Sequence, residues 1–240
     1  VGQEIRERAT QSSSGQACSY SGAVCTRYIS PDDAAVERAW HIGRHNPWRG
    51  AEVYPQRPGI FVRPARDSTE HEAEAVVGQF GLIPWFAKAA KLTFSTCNAR
   101  SEELAQKATF KDPWKRGQRC IVPAVAFYEP CWETGKNVWW SFRRADGELW
   151  GLAGLWNTWT DKATGELVES FTMLTINADA HPLMNRMHRP DPKRPPNMQD
   201  KRSVIPIERA DVERWLYGTQ DDARDLMRLA PAEAFDAAPH

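Results

Sequence analysis

The strongest constraint on this chain's fold is a succession of short apolar, β-prone runs cut off by turn residues. They include Ile60-Phe61-Val62-Arg63, the stretch from Ala75 to Trp85, Arg119 to Pro123, Val138 to Phe142, Leu149 to Leu155 and Phe171 to Ile176. Gly135, Asp146-Gly147 and Thr164-Gly165 sit between the last of these, where turn chemistry favours hairpins. Val53-Tyr54 adds a strand candidate set apart by prolines. Helical patterns are fewer. One follows Pro31-Asp32-Asp33, with Asp32 or Ser30 as cap; others are predicted over Glu102 to Lys107, Ala210 to Tyr217 and Asp221 to Leu229. The expectation is a single α+β domain dominated by antiparallel strands.

A chain of 240 residues can bury a substantial core. Its 41% hydrophobic and 26% charged residues are ordinary for a soluble protein. Formal net charge is zero, so no global attraction to nucleic acid or membrane is implied, although a local basic face is compatible with it. No apolar run approaches the roughly 20 residues that span a bilayer. Cys18, Cys25, Cys97, Cys120 and Cys131 are odd in number and irregular in spacing, without a Cys-x-x-Cys. Neither a disulfide framework nor a zinc site is expected, which points to a reduced, cytoplasmic protein with mostly buried thiols.

Three parts are expected along the chain. Residues 1–24 are a polar extension, predicted to be disordered and lacking the apolar core of a secretory signal. A domain over 25–232 and a tail over 233–240 follow. The chain opens on valine, and one reading is a mis-set start, with Val24 marking the true initiation codon.

Val24-Cys25-Thr26-Arg27-Tyr28 stands where the extension meets the domain. Made N-terminal there, Cys25 would carry an α-amine (pKa ~8) and a thiol (~8.5) on adjacent carbons, a pair that closes a thiazolidine on an aldehyde. Glu129 ends a mostly apolar run and is either salt-bridged or placed for acid–base work. His188 lies in the polar stretch Arg186-Met187-His188-Arg189-Pro190, while His181, His41 and His45 are weaker candidates. Asn98 can cap a following helix. Arg27, Arg100, Arg186 and Arg189 are either surface charges or phosphate clamps beside base-stacking aromatics such as Tyr28 and Trp85.

Together these stretches resemble the SRAP family, the SOS-response-associated peptidase-like proteins that process abasic sites in single-stranded DNA. The resemblance rests on Cys25-Thr26-Arg27-Tyr28, Gly81-Leu82-Ile83-Pro84-Trp85, Asn98-Ala99-Arg100-Ser101-Glu102, Pro123 to Glu129, and His188. It covers Cys25 to Trp215. It implies one α+β domain with an antiparallel barrel-like sheet, flanking helices and a positive DNA cleft. It further implies Cys25 as nucleophile toward the ring-opened sugar aldehyde, Asn98 holding the cysteine, His188 as general acid and Glu129 as proton shuttle. Arg27, Arg100, Trp85 and Tyr28 would contact DNA. Autoproteolytic and lyase activities come with the family; no metal or cofactor is required. The expected partner is single-stranded DNA with abasic sites, met by a monomer that is nucleoid-associated if bacterial. Pro130 and Phe80 stand where many members carry tryptophan, and Pro195-Pro196 interrupts an expected apolar strand.

Two other readings stay open on the residues alone. One is a cysteine hydrolase using Cys25, His188 and Glu129 on peptides or amides, active with its extension attached. The other is a single-strand-binding module using Tyr28, Trp85 and the arginines, with binding that survives Cys25→Ala.

Overall fold

The structure, a computed structural model, describes residues 25–42, 46–67 and 71–240. The expected disordered extension, Val24 and His45 lie outside them. The elements in chain order are β1 (Tyr28–Ser30), α1 (Asp33–Trp40), β2 (Ala51–Val53), β3 (Pro58–Pro64), β4 (Ala73–Phe80), β5 (Asn98–Arg100), α2 (Ala108–Lys115), β6 (Arg119–Ala124), β7 (Ala126–Cys131), β8 (Val138–Arg144), β9 (Trp150–Thr160), β10 (Leu167–Asn177), β11 (Arg202–Val204), α3 (Val212–Tyr217), α4 (Gln220–Leu226) and β12 (Phe235–Pro239).

Five strands close on themselves in the order β10, β4, β3, β6, β9 and back to β10, while β5 and β11 add to β10. This is the barrel-like sheet the resemblance implied. Its pairings are antiparallel except where β10 runs parallel to β4 and β5. A second sheet, ordered β12-β8-β7-β1-β2, is antiparallel throughout. A single residue, Val125, separates β6 in the barrel from β7 in the second sheet. That abrupt change of sheet carries Glu129 away from the barrel wall.

One core contains Tyr28, Phe80, Phe127, Phe142, Trp150, Phe171 and Met173; the other lies toward the helices, with Ile60, Leu104, Trp114, Leu155 and Trp215. Two fully buried tryptophans keep their indole donors satisfied. Trp215 donates to the Cys120 carbonyl at 2.9 Å and Trp150 to the Phe142 carbonyl at 3.2 Å.

Asp32 is the cap of α1, accepting from the Ala35 amide at 2.7 Å. The helix expected over Glu102 to Lys107 forms differently: a 3-10 turn spans Ser101–Glu103, and α2 begins at Ala108. Tertiary contacts override local propensity here, because Glu102 pairs with Arg202 at 2.6 Å and accepts from the Asn177 amide at 3.1 Å. The final helices begin as a 3-10 turn at Arg209–Asp211. The last residues, set apart as a tail by the sequence reading, belong to the domain: β12 pairs with β8, and Phe235 packs on Phe127, Phe142 and Trp150. Phe235 is partly buried there, and the apolar area it covers favours the docked edge strand.

Candidate active site

The site forms where the chain entering β1 meets β7. The Tyr128 amide donates to the Arg27 carbonyl at 3.0 Å, extending the β1–β7 pairing and laying Cys25 beside Glu129. Glu129 is completely buried, and its Oε2 accepts from the Cys25 backbone N–H at 3.1 Å. The same oxygen lies 2.9 Å from His188 Nε2. On the other flank β5 delivers Asn98, whose Nδ2 donates to the Cys25 carbonyl at 3.4 Å. The four residues that the resemblance marked as catalytic therefore meet.

Three polar atoms at this place are buried with no partner: Glu129 Oε1, His188 Nδ1 and Asn98 Oδ1. An unmet buried acceptor or donor costs roughly 1–3 kcal/mol, so a cluster of them marks a place kept ready for further contacts. Backbone strain gathers here too. Cys25 has φ 38° and His188 φ 63°, both left-handed values that a non-glycine residue adopts at a cost.

The Cys25 thiol is enclosed, with its Sγ 3.9 Å from Met173 Sδ. Burial pushes the thiol pKa well up, and the nearby Glu129 and Cys97 push it further the same way. At neutral pH the sulfur is therefore protonated. Its neighbours hold the backbone nitrogen rather than the sulfur in proton-transfer contact.

The expected DNA-contact residues divide. Trp85 is 64% exposed and meets Phe86 edge-on. Arg100 reaches solvent while pairing with Asp200 at 2.8 Å. Arg27 forms an ion pair with Glu52, lies 4.2 Å over the Tyr128 ring, and approaches His240 Nε2 at 3.4 Å. Arg27, Glu52, Tyr128 and His240 line a cavity of about 430 Å³ together with Arg49. Tyr28 is a correction. Fully buried, it packs edge-on against Phe80 at 5.3 Å, in room that exists because position 59 is glycine: a Cβ there would sit 2.5 Å from the Tyr28 hydroxyl. A ring so enclosed stacks on no base.

His181 is structural: its Nδ1 accepts from the Met184 amide at 3.0 Å and its Nε2 lies 2.9 Å from the Ala230 carbonyl. Asn98 caps no helix, since it lies in β5. Among the described residues, no three His, Cys, Asp or Glu side chains group as metal ligands, and no helix is long and apolar enough to cross a membrane. An aromatic wall that no sequence motif indicated stands beside the site. Trp140 faces Glu129 across the β7–β8 pairing, Arg186 lies over Trp140 at 5.0 Å, and Arg189 lies over Trp132 at 5.1 Å. The available signal was the hairpin of tryptophans around Gly135, immediately after Glu129.

The sequence matches the SOS response associated peptidase (SRAP) family over residues 24–239. It is 28% identical to a chicken protein named abasic site processing protein HMCES, across 90% of this chain and 69% of that one. With the Bacillus subtilis abasic site processing protein YobE it shares 34% identity across 46% of this chain and 49% of the relative. A crystal structure of a Bordetella bronchiseptica protein superposes with a TM-score of 0.78 at 35% identity, covering 90% of this chain and 99% of that one. A Bacteroides thetaiotaomicron protein at 21% identity and a TM-score of 0.67 shares the fold.

Proposed function

This chain belongs to the SOS response associated peptidase family, and from that premise we propose that it processes abasic sites in single-stranded DNA through a covalent crosslink to Cys25. The observation that carries the reading is the placement of one carboxylate oxygen, Glu129 Oε2, within hydrogen-bond distance of both the Cys25 nitrogen and His188 Nε2.

An abasic deoxyribose exists mostly as a closed hemiacetal, and His188 donates a proton to the ring oxygen as the aldehyde opens. The Cys25 amine adds to the carbonyl carbon, and the adduct loses water to leave an imine. The Cys25 sulfur then closes on that carbon, its proton passing to the nitrogen, so that the net change is one C–N bond, one C–S bond and one water released. Glu129 takes the proton from the amine and returns it during reversal. The same imine, once protonated by His188, is where a lyase would eliminate the 3′ phosphate, so lyase activity belongs to this proposal.

The mechanism needs a free α-amine, obtained by initiation at Val24 and loss of the initiator, or by cleavage before Cys25. The backbone of Cys25 favours release. A left-handed φ costs a non-glycine residue about 1–3 kcal/mol, and the torsion ceases to exist once the preceding peptide bond is gone. The environment of the sulfur argues against the hydrolase reading. A cysteine–histidine hydrolase needs a thiolate beside its imidazole, whereas this thiol is buried, pushed up in pKa and in contact with Met173. The binding-module reading loses Tyr28 as a stacking platform.

Intact-protein mass spectrometry before and after incubation with single-stranded DNA bearing one abasic site tests the proposal. The expected result is a mass beginning at Cys25 and a covalent adduct that Cys25→Ala abolishes. A protein starting at Cys25 that gives no adduct refutes the crosslinking chemistry.

A further inference from the structure

Lys201 is a buried charged residue, 7% exposed, to which neither the motifs nor the mechanism above give a role. Its Nζ lies 2.6 Å from the carbonyl oxygen of Met187 and 2.6 Å from that of His188. These are short, charge-assisted bonds from one ammonium to two consecutive peptide groups. The His188 N–H, on the opposite side of the first of those peptide groups, donates to the Pro130 carbonyl at 2.6 Å. The peptide before His188 is thus held at both its carbonyl and its amide, and the peptide after it at its carbonyl.

Two pinned peptide planes meeting at one Cα define φ and ψ there. This is how His188 keeps φ 63°, a value it would leave if the surroundings relaxed, with its ring against Glu129. The lysine is itself anchored. Asp179 accepts from the backbone N–H of Lys201 at 2.8 Å and from that of Asp200 at 3.0 Å, and the Ala178 amide donates to the Lys201 carbonyl at 2.7 Å. Burial pushes the Lys201 pKa down, with Asp179 opposing. An apolar side chain would pack there more cheaply, so the ammonium is retained for its donors.

We infer that Lys201 is the positioning residue of this site, clamping the Met187 and His188 carbonyls so that the His188 imidazole is held against Glu129. The inference rests on the reading of Glu129 and His188 as the reacting pair. It links the end of β10, through Asp179 and Lys201, to the proton-transfer group on the far side of the Pro-rich loop.

The test uses Lys201→Met, which keeps the stem and removes the donors, and Lys201→Arg, whose planar fork can serve two carbonyls. Crosslinking is followed by single-turnover kinetics over a range of abasic DNA concentrations. In K201M the limiting rate is expected to fall about 100-fold with the half-saturating DNA concentration unchanged, since a misplaced catalytic group costs rate and not binding. K201R recovers most of the loss. An unchanged limiting rate in K201M, or a K201R as slow as K201M, overturns the inference. Nuclear Overhauser contacts between the His188 ring and the Glu129 side chain provide an arm independent of the reaction. They are present in the wild type and lost in K201M; if they persist in K201M, the clamp is refuted. Should the wild type form no crosslink, the reaction fails while this arm still decides the placement. Should K201M not fold, the wild type decides: a Lys201 ammonium resonance in slow exchange with water is expected, and its absence refutes the clamp.

Discussion

Two histidine–glutamate pairs in this protein have the same chemical parts and opposite surroundings. His188 and Glu129 meet at 2.9 Å with side chains 14% and 0% exposed, whereas His71 and Glu213 stand 3.5 Å apart at 68% and 78%. Both histidines have left-handed backbone, φ 63° and φ 35°, so strain by itself does not mark a site. A cavity does not mark it either: the space of about 460 Å³ is bordered by Trp40, His71, Glu213 and Tyr217, while Glu129 and His188 line neither of the two spaces described. The difference lies in what else touches the carboxylate. Glu129 shares one oxygen between an imidazole and the Cys25 nitrogen and is fully buried. Glu213 is solvated, and its histidine stacks on Tyr217 at 4.5 Å. An exposed pair contributes at most about 1 kcal/mol and gives way to water; a buried, shared oxygen directs a proton.

The largest effect expected from breaking this contrast is Glu129→Gln, which keeps shape and removes the base. Crosslinking is expected to slow by about 10²–10⁴-fold, while Glu213→Gln stays within about twofold of wild type, measured by gel shift under single-turnover conditions. Comparable losses in both variants would end the distinction.

A second effect follows from the raised Cys25 thiol. Alkylation requires thiolate, so Cys25 in the native protein is expected to remain unmodified by iodoacetamide through the ordinary titration range near ~8.5. Glu129→Gln removes one of the charges holding the thiol up, moving the onset of alkylation to lower pH; Glu213→Gln leaves it in place. Site-resolved mass spectrometry reads both. Because the fold holds the thiol neutral, its contribution to stability is intact below ~8.5 and declines as pH rises above that value.

The smallest effect falls on the surface charges. Arg100→Ala is expected to weaken binding to intact single-stranded DNA uniformly across sequences and to lower the magnitude of the salt slope by about 0.7, with the crosslinking rate at saturation unchanged. A drop in the saturated rate would instead place Arg100 within the reacting group.

Much of this was legible in the chain. The long strands β8, β9 and β10 fall where apolar runs and turn glycines indicated, and Asp32 caps α1 as its spacing implied. The three-residue strands β1, β2, β5 and β11 carry no periodicity of their own; each exists through its partners. Three residues cannot declare which face is inward, and so the sequence alone leaves Tyr28 open to DNA although it belongs to the core. The helix over 102–107 failed for a related reason, since Glu102 is engaged by Arg202, a hundred residues away.

The amino-acid sequence by itself determined the chemical inventory: a thiol beside a junction, a carboxylate ending an apolar run, an imidazole in a polar loop, and enough β-prone segments to build a barrel. Only the tertiary structure decided which of these meet. The Cys25–Glu129 contact spans 104 residues and the Glu129–His188 contact 59. Closing such loops costs entropy that no local pattern repays, and the burial of both cores offsets it. Lys201 is the plainest case. In sequence it is one lysine after a Pro-rich stretch, and its position against two carbonyls exists once β10 and β11 have paired.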